Sequence, residues 1–281
     1  QQYYENRDSV YHFREVGVHI LKDLTDTDAT RFRTEGLRNL VRAISREVQK
    51  VGSQRLVINA TGGYKAQISF AGMIGQALEI PVCYLFERFS EVIELPPQPI
   101  SLDLSFWLEN VDTFYELAAD SGEANPSRSD PRFESLLDEI TVDGNRLIGL
   151  SPMGQLFHEM FRHRLALQRP QLLPPDAGLP PEAKVIKYED DNKGKHPGLA
   201  AYLGKIANLP YVKRIYTHYY HPDLPKKNYF RRSKQGYLSQ IEGGYSNGKA
   251  TTKFDVVTTA STPTHRDAAI ADLTENIAIK Y

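Results

Sequence analysis

The sequence predicts an α/β chain, with a parallel α/β domain first and a small α+β domain with an antiparallel sheet last. Three observations predict it. Short apolar runs alternate with helical repeats in the N-terminal third. β-branched and aromatic runs separated by Gly, Asn and Ser turns crowd the C-terminal third. Between them QRPQLLPPDAGLPPE, residues 168–182, holds five prolines, the composition of an extended spacer.

Glu15 to Leu21 alternates apolar and polar residues as a strand does, and Leu37, Leu40, Val41, Ile44, Val48 and Val51 share one helix face. Leu56 to Ala60 is the apolar run expected of a strand buried on both faces, and Gly62-Gly63 breaks it. Ala66, Phe70, Met73, Ile74 and Leu78 then recur at helical spacing until Pro81, and Val82 to Phe86 reads as the next buried strand. Three strands are fewer than a complete doubly wound sheet has, so the first part of that domain is expected to be missing from this chain. ERFSEVIEL gives a short amphipathic strand before a proline turn, and one helix carries Phe106, Trp107, Val111, Phe114 and Leu117. Residues 131–166 read as a helix with Phe133, Leu136 and Leu137, an Asp143-Gly144 turn, a strand from Arg146 to Leu150, and a helix capped by Ser151 with Pro152 first. That order resembles a winged-helix element, better suited to a connector or dimer contact than to reading DNA. On its last helix His158 and His163 are five apart, a poor spacing for shared metal ligation.

Past the prolines the expected elements are a strand Lys184 to Tyr188, a helix Gly198 to Asn208, strands in VKRIYTHYYH, YFRRS, GYLSQIEGGYS and TTKFDVVTTAS, a hairpin turn at Ser246-Asn247-Gly248-Lys249, and a closing helix from Thr264. The domains expected are therefore 1–110, a helical connector 111–167, a linker 168–182 and a basic domain 183–281.

Composition is globular, with 41% hydrophobic and 25% charged residues. No apolar segment is long enough to span a bilayer and the start has no apolar signal core. The single Cys83 excludes a disulfide within the chain and points to a reducing, cytoplasmic setting. The net charge of −1 conceals two halves of opposite sign. From residue 183 onward there are 16 Lys and Arg against 9 Asp and Glu, and the remainder carries 18 against 26. A basic domain of this kind points to a polyanionic partner, nucleic acid first of all.

Two places carry chemistry. In NATGGYK the glycines let backbone approach a ligand, the first amides of the following helix point outward, Lys65 adds a mobile cation, and Asn59 and Thr61 add neutral donors. An anion fits there. Neither G-x-G-x-x-G nor G-x-x-x-x-G-K-[ST] is present, so neither a dinucleotide fold nor an NTPase is supported. In the basic domain Lys226, Lys227, Arg231, Arg232 and Lys234 are interleaved with Tyr229, Phe230 and Tyr237, a pattern that suits RNA. Cleaving RNA without a metal needs a base, a cation at the phosphorus and an acid, roles open to His218, His221, His265, Tyr237 and Arg266. Arg231 and Arg232 are strand neighbours, so at most one enters any single site. No metal site is expected: Glu189-Asp190-Asp191 reads as a solvated acidic turn. Arg214 and His221 satisfy an R-x6-H spacing, but in a strand-like context.

INATGGYKAQISFAGMIGQALEIPVCYLFERF, with ELPPQPISLDLSFW after it, resembles the CARF sensor domain, a Rossmann-like fold of type III CRISPR ancillary proteins, over about residues 10–110. LSPMGQLFHEMFRHRL is similar to the winged-helix connector of the same proteins. The resemblance implies a homodimer that binds a cyclic oligoadenylate activator at Asn59, Ala60, Thr61, Gly62, Gly63 and Lys65, with no other cofactor. The family's first strand and its ligand loop have no counterpart here. The last domain resembles RelE-type messenger-RNA interferases in element order and charge. No restriction-type site is present, because Asp255-Val256-Val257 lacks the lysine such a site needs. The RelE resemblance implies a metal-independent toxin that cuts mRNA on the ribosome, with Arg231 or Arg232 as phosphate clamp and Tyr237, His265 or Arg266 in proton transfer and charge stabilisation. Lys226, Lys227 and Lys234 would then bind RNA. The alternatives are a ligand-controlled nucleic-acid-binding regulator, a sensor that hydrolyses its own ring, or another CARF-fused nuclease.

Overall fold

Val82–Leu85 is the strand about which the N-terminal part is ordered. The computed structural model describes residues 13–25, 27–63, 65–85, 91–95, 104–119, 130–142 and 145–278, and it divides into two units. The first comprises Gln1–Gln98 with Ser151–Glu159, the second Pro99–Leu150 with Met160–Tyr281. The chain is a mixed α/β protein. Among the described residues no helix is long and apolar enough to cross a membrane. The expected Asp143-Gly144 turn, Phe86 and the proline turn at 96–100 lie outside the described residues.

In the first unit helix α1 (Leu37–Val51) precedes strand β1 (Ile58–Asn59), helix α2 (Lys65–Ala77), β2 (Val82–Leu85) and β3 (Val92–Leu95). The sheet order is β1-β2-β3, with β1 parallel and β3 antiparallel to β2. α1 presents Leu37, Val41 and Val48, and α2 presents Phe70 and Ile74, to one apolar cluster that also takes Leu78, just past α2, and Leu156. A side chain at Gly75 would meet Val82 Cγ2 at 2.3 Å, so the glycine lets α2 lie close on β2.

Four expectations fail here. Glu15 to Leu21 forms no strand: Val18 and Ile20 are exposed, so its alternation has no sheet to join, and the third strand is β3 instead. The run Leu56 to Ala60 is not buried on both faces, because among the described residues β1 stands at the edge of its sheet and Val57 faces solvent. Likewise only Val82 of β2 is fully buried, and Met73 on α2 lies off the buried 70–74–78 stripe.

The second unit begins with helices α3 (Ser105–Glu109) and α4 (Val111–Ala118), broken at Asn110, whose side-chain amide donates to the Phe106 carbonyl (2.9 Å). The expected single helix is thus two. Phe106 meets Phe114 and Phe133 edge to face, and Phe114 and Phe133 pack with their rings tilted by 31°. Where a helix was expected from 131, a 3-10 turn Pro131–Phe133 leads into a hairpin of β4 (Leu137–Val142) and β5 (Asn145–Leu150). The β-branched ITV at 140–142 favours that strand over helix. Helix α5 (Pro152–Leu172) follows and passes through Pro170, which overturns the fully extended spacer. The proline sits in the last turn, where it forfeits one backbone bond, and Arg169 beside it pairs with buried Asp272 at 2.5 Å.

The rest is a five-stranded sheet of order β6-β7-β10-β9-β8, from β6 (Val185–Tyr188), β7 (Val212–His221), β8 (Tyr229–Arg232), β9 (Gln240–Ser246) and β10 (Thr251–Thr258). β6 and β7 are parallel, joined by helix α6 (Leu199–Ala207); the other pairs are antiparallel. Helices α6 and α7 (Pro263–Leu273) cover one face. Phe254 and Val256 of β10, Ile241 of β9, Leu203 and Ile270 are completely buried there.

Candidate functional site

In the first unit the loop after β1 is held by its own polar groups. The Ala60 N–H donates to the Cys83 carbonyl (2.8 Å), continuing the ladder one residue past β1. Thr61 N–H donates to Asn59 Oδ1 (3.0 Å), an Asx turn, and Leu85 N–H donates to Thr61 Oγ1 (2.9 Å). Because Thr61 Oγ1 accepts there, its hydroxyl proton is left to donate elsewhere. Gly63 has φ +125°, a backbone setting that favours glycine, and a side chain at Gly62 would meet nothing within 4 Å. Asn59, Gly62, Gly63 and Lys65 are exposed and Ala60 is buried. The six expected ligand residues therefore come together at the end of β1, with donors and a lysine on the open side of the loop.

In the second unit the half-exposed sheet face opposite α6 and α7 carries a polar row. Tyr216, Asp255, Glu242 and Arg231 are register partners across β7, β10, β9 and β8. His218 Nε2 stands 3.6 Å from Asp255 Oδ2, and Gln240 Nε2 donates to the Tyr216 hydroxyl (2.7 Å). Arg231 Nε donates to Glu242 Oε1 (3.0 Å), which also accepts from the Tyr229 hydroxyl (3.2 Å). Burial raises the Asp255 carboxyl above its ordinary value; His218 and Gln240 pull against the rise, and Glu242 adds to it. Burial, then the Glu242 charge, raises the Tyr229 phenol as well. An imidazole beside a carboxyl and a guanidinium held in place by a carboxylate are the parts of general acid-base chemistry on an anionic substrate.

Of the residues expected to take part in catalysis, Arg231 and His218 belong to this row. Arg232 turns to the opposite face, donating to Asp267 Oδ1 and Oδ2 (3.0 and 2.8 Å) and to the Leu108 carbonyl (3.4 Å). Arg266 Nε donates to the same carboxylate (2.8 Å), so Asp267, 3% exposed, is the shared partner of two expected catalytic arginines. His265 lies in the first turn of α7, where its N–H is capped by Thr262 Oγ1 (3.1 Å). Tyr237 is exposed in the β8–β9 connection. Lys226 and Lys234 are exposed, and Lys227 stands 3.5 Å from Glu116. Tyr216, Glu242 and Gln240 were not singled out from sequence, and Asp255 was weighed only as a failed match to a restriction-type site. Their signal was alternation in QIEGG and TKFDVV, legible only once the strand order is known.

The acidic turn is not solvated as expected: Asp190 is fully buried and accepts from Asn192 N–H (3.0 Å), Gly194 N–H and the Thr217 hydroxyl. It pins the loop after β6 to the core face of β7. Among the described residues no group of three His, Cys, Asp or Glu side chains is placed to hold a metal ion.

Residues 1–98 match a family model described as CRISPR-associated protein (Cas_APE2256), a stretch that contains the Asn59–Lys65 loop and ends before the second unit. No curated protein matches the chain. The match supports a CRISPR-related role.

Proposed function

We propose that the chain is a ribonuclease of type III CRISPR antiviral defence, switched on by a cyclic oligoadenylate. The first unit is its CARF sensor, in which the Asn59–Lys65 loop binds the ring across a homodimer. The second unit is a RelE-like effector that cuts messenger RNA, on ribosomes in the cytoplasm. Two supports differ in kind. The CRISPR-associated family match covers the loop. The observation that carries the catalytic half is the row of His218, Asp255, Glu242 and Arg231 on one half-exposed sheet face.

On that face the chemistry runs without a metal. With His218 Nε2–H directed at Asp255, the Nδ1 lone pair accepts the proton of an RNA 2′-hydroxyl. The 2′ oxygen bonds to phosphorus, the P–O5′ bond breaks, and the imidazolium returns the proton to the leaving 5′ oxygen. Arg231, held by Glu242, meets the charge that grows on the phosphoryl oxygens. The ring acts through linkage: it favours the cleaving arrangement by its greater affinity for it.

The test incubates the full chain with labelled RNA, free in EDTA or on ribosomes in magnesium buffer, with cyclic tri-, tetra- and hexaadenylate in turn. Cleavage that requires one ring and leaves 2′,3′-cyclic phosphate ends is expected. Lys65→Ala should weaken binding of that ring about tenfold or more, the loss of one charge-assisted contact. No cleavage with any ring, together with ring-dependent retention of intact nucleic acid, would make the chain a regulator instead.

A further inference from the structure

The alternation of β7 changes phase in the middle of the strand. Thr217 pairs with Phe254 and Tyr219 with Lys253, so His218 is an extra residue between them. A bulge of this kind sets two consecutive residues against one on the partner strand. His218 accordingly meets Asp255, while Tyr219 and His221 lie on the same side with ring planes within 3° and centroids 6.0 Å apart. Tyr220 between them turns away, against buried His196. Tyr219 is 40% exposed. The His221 ring is fixed from the turn, where Asp223 N–H donates to Nδ1 (3.1 Å), which leaves the proton of the neutral ring on Nε2.

Across the ladder Tyr219 faces Lys253, then Gly244, then Tyr229. A side chain at Gly244 would come 2.2 Å from the Tyr229 ring, so the glycine is what lets that ring lie over the backbone. An aromatic row with one lysine thus runs beside the acid-base row, two residues away along β8, β9 and β10, or about 7 Å. A single nucleotide bridges such a gap from base to phosphate. Exposed parallel rings beside a lysine, in a region with 16 basic against 9 acidic residues, have the chemistry that takes unpaired bases by their faces and the backbone by its charge.

We propose that the Tyr219–His221 pair is a stacking platform for one unpaired base of single-stranded RNA, with Lys253 on the adjoining phosphate. Its further consequence, that the platform selects which linkage lies against His218 and Asp255, rests on the ribonuclease reading above; base binding itself does not.

The measurement is fluorescence anisotropy of the full chain with a labelled, fully 2′-O-methylated single-stranded RNA, which cannot be cut through its 2′ oxygens. Tyr219→Ala should weaken binding by about 5- to 150-fold, the range for one lost base–aromatic stack, with an unchanged salt slope. Tyr219→Phe should bind as the parent does. Lys253→Gln should weaken binding and reduce the slope of log affinity against log salt by about 0.7, one phosphate contact. If Tyr219→Ala does not fold, Tyr219→Leu and His221→Ala carry the same test. A folded Tyr219→Ala chain with parental affinity overturns the platform, as does equal affinity for a duplex of the same sequence. A chain that binds the strand this way, yet cuts no RNA with any ring, keeps the platform and removes the ribonuclease reading.

Discussion

Replacing Arg231 and Arg232 one at a time separates a residue of the site from a residue of the scaffold. They are adjacent on β8, yet Arg231 is tied to Glu242 on the half-exposed face and Arg232 to Asp267 on the other. Removing Arg232 takes two charge-assisted bonds from the Asp267 carboxylate, which is 3% exposed, and one contact from the Leu108 carbonyl. Breaking a buried pair costs about 3–5 kcal/mol, but Arg266 stays on Asp267, so the loss for Arg232→Ala is about 2 kcal/mol. In a unit of this size that lowers the melting temperature by about 4–8 °C. Arg231 is more than a third exposed and Glu242 keeps the Tyr229 hydroxyl, so Arg231→Ala should cost about 1 kcal/mol or less. Catalysis is expected to show the reverse order. Below the melting range, single-turnover cleavage by Arg231→Ala should fall about 100-fold or more, the scale of a lost donor to developing phosphoryl charge. Cleavage per folded Arg232→Ala molecule should stay within about threefold of the parent. Scanning calorimetry and single-turnover kinetics on the same preparations decide it. An Arg232→Ala chain that melts like the parent and loses cleavage would refute the reasoning.

Two further outcomes follow from the same face. Burial holds the Asp255 carboxyl above its ordinary 3.8, so the folded chain keeps that proton longer than the unfolded chain. The stability linked to it is present at acid pH and is lost as pH rises from about 4 through the raised value. Asp255→Asn should therefore melt above the parent at pH 7, with the gap narrowing toward pH 4, while cleavage is lost; a lower melting point with intact cleavage contradicts the assignment. Gly244→Ala drives a methyl into the Tyr229 ring, which should cost about 1–3 kcal/mol and weaken RNA binding; unchanged melting would show that the ring moves freely.

The elements of the second unit were legible in sequence where a local signal is strong. β7, β8 and β10 fall where β-branched and aromatic residues alternate, and α6 and α7 where apolar residues repeat. Register was not. A two-residue Asn247-Gly248 turn would pair Ser246 with Lys249, but Asn247 Oδ1 accepts from Lys249 and Ala250 N–H and the ladder begins at Ser246 with Thr251. That difference slides Glu242 opposite Asp255, and no residue of either strand announces it. Asp267 misled for a related reason. A carboxylate beyond the basic run, 35 residues from Arg232, draws two arginines into the scaffold, and only tertiary structure joins them. In the first unit the glycine loop was legible because glycines and an Asx turn are local devices. The depth of β1 was not, since sheet order decides which apolar strand is an edge among the described residues.

His218 is a supernumerary member of its strand. Excising it would let Thr217 and Tyr219 stand in ordinary alternation opposite Phe254 and Lys253, with every other cross-strand partnership kept. A one-residue deletion there keeps the register on both sides and takes away the imidazole opposite Asp255, so it separates what the sheet needs from what the polar face needs.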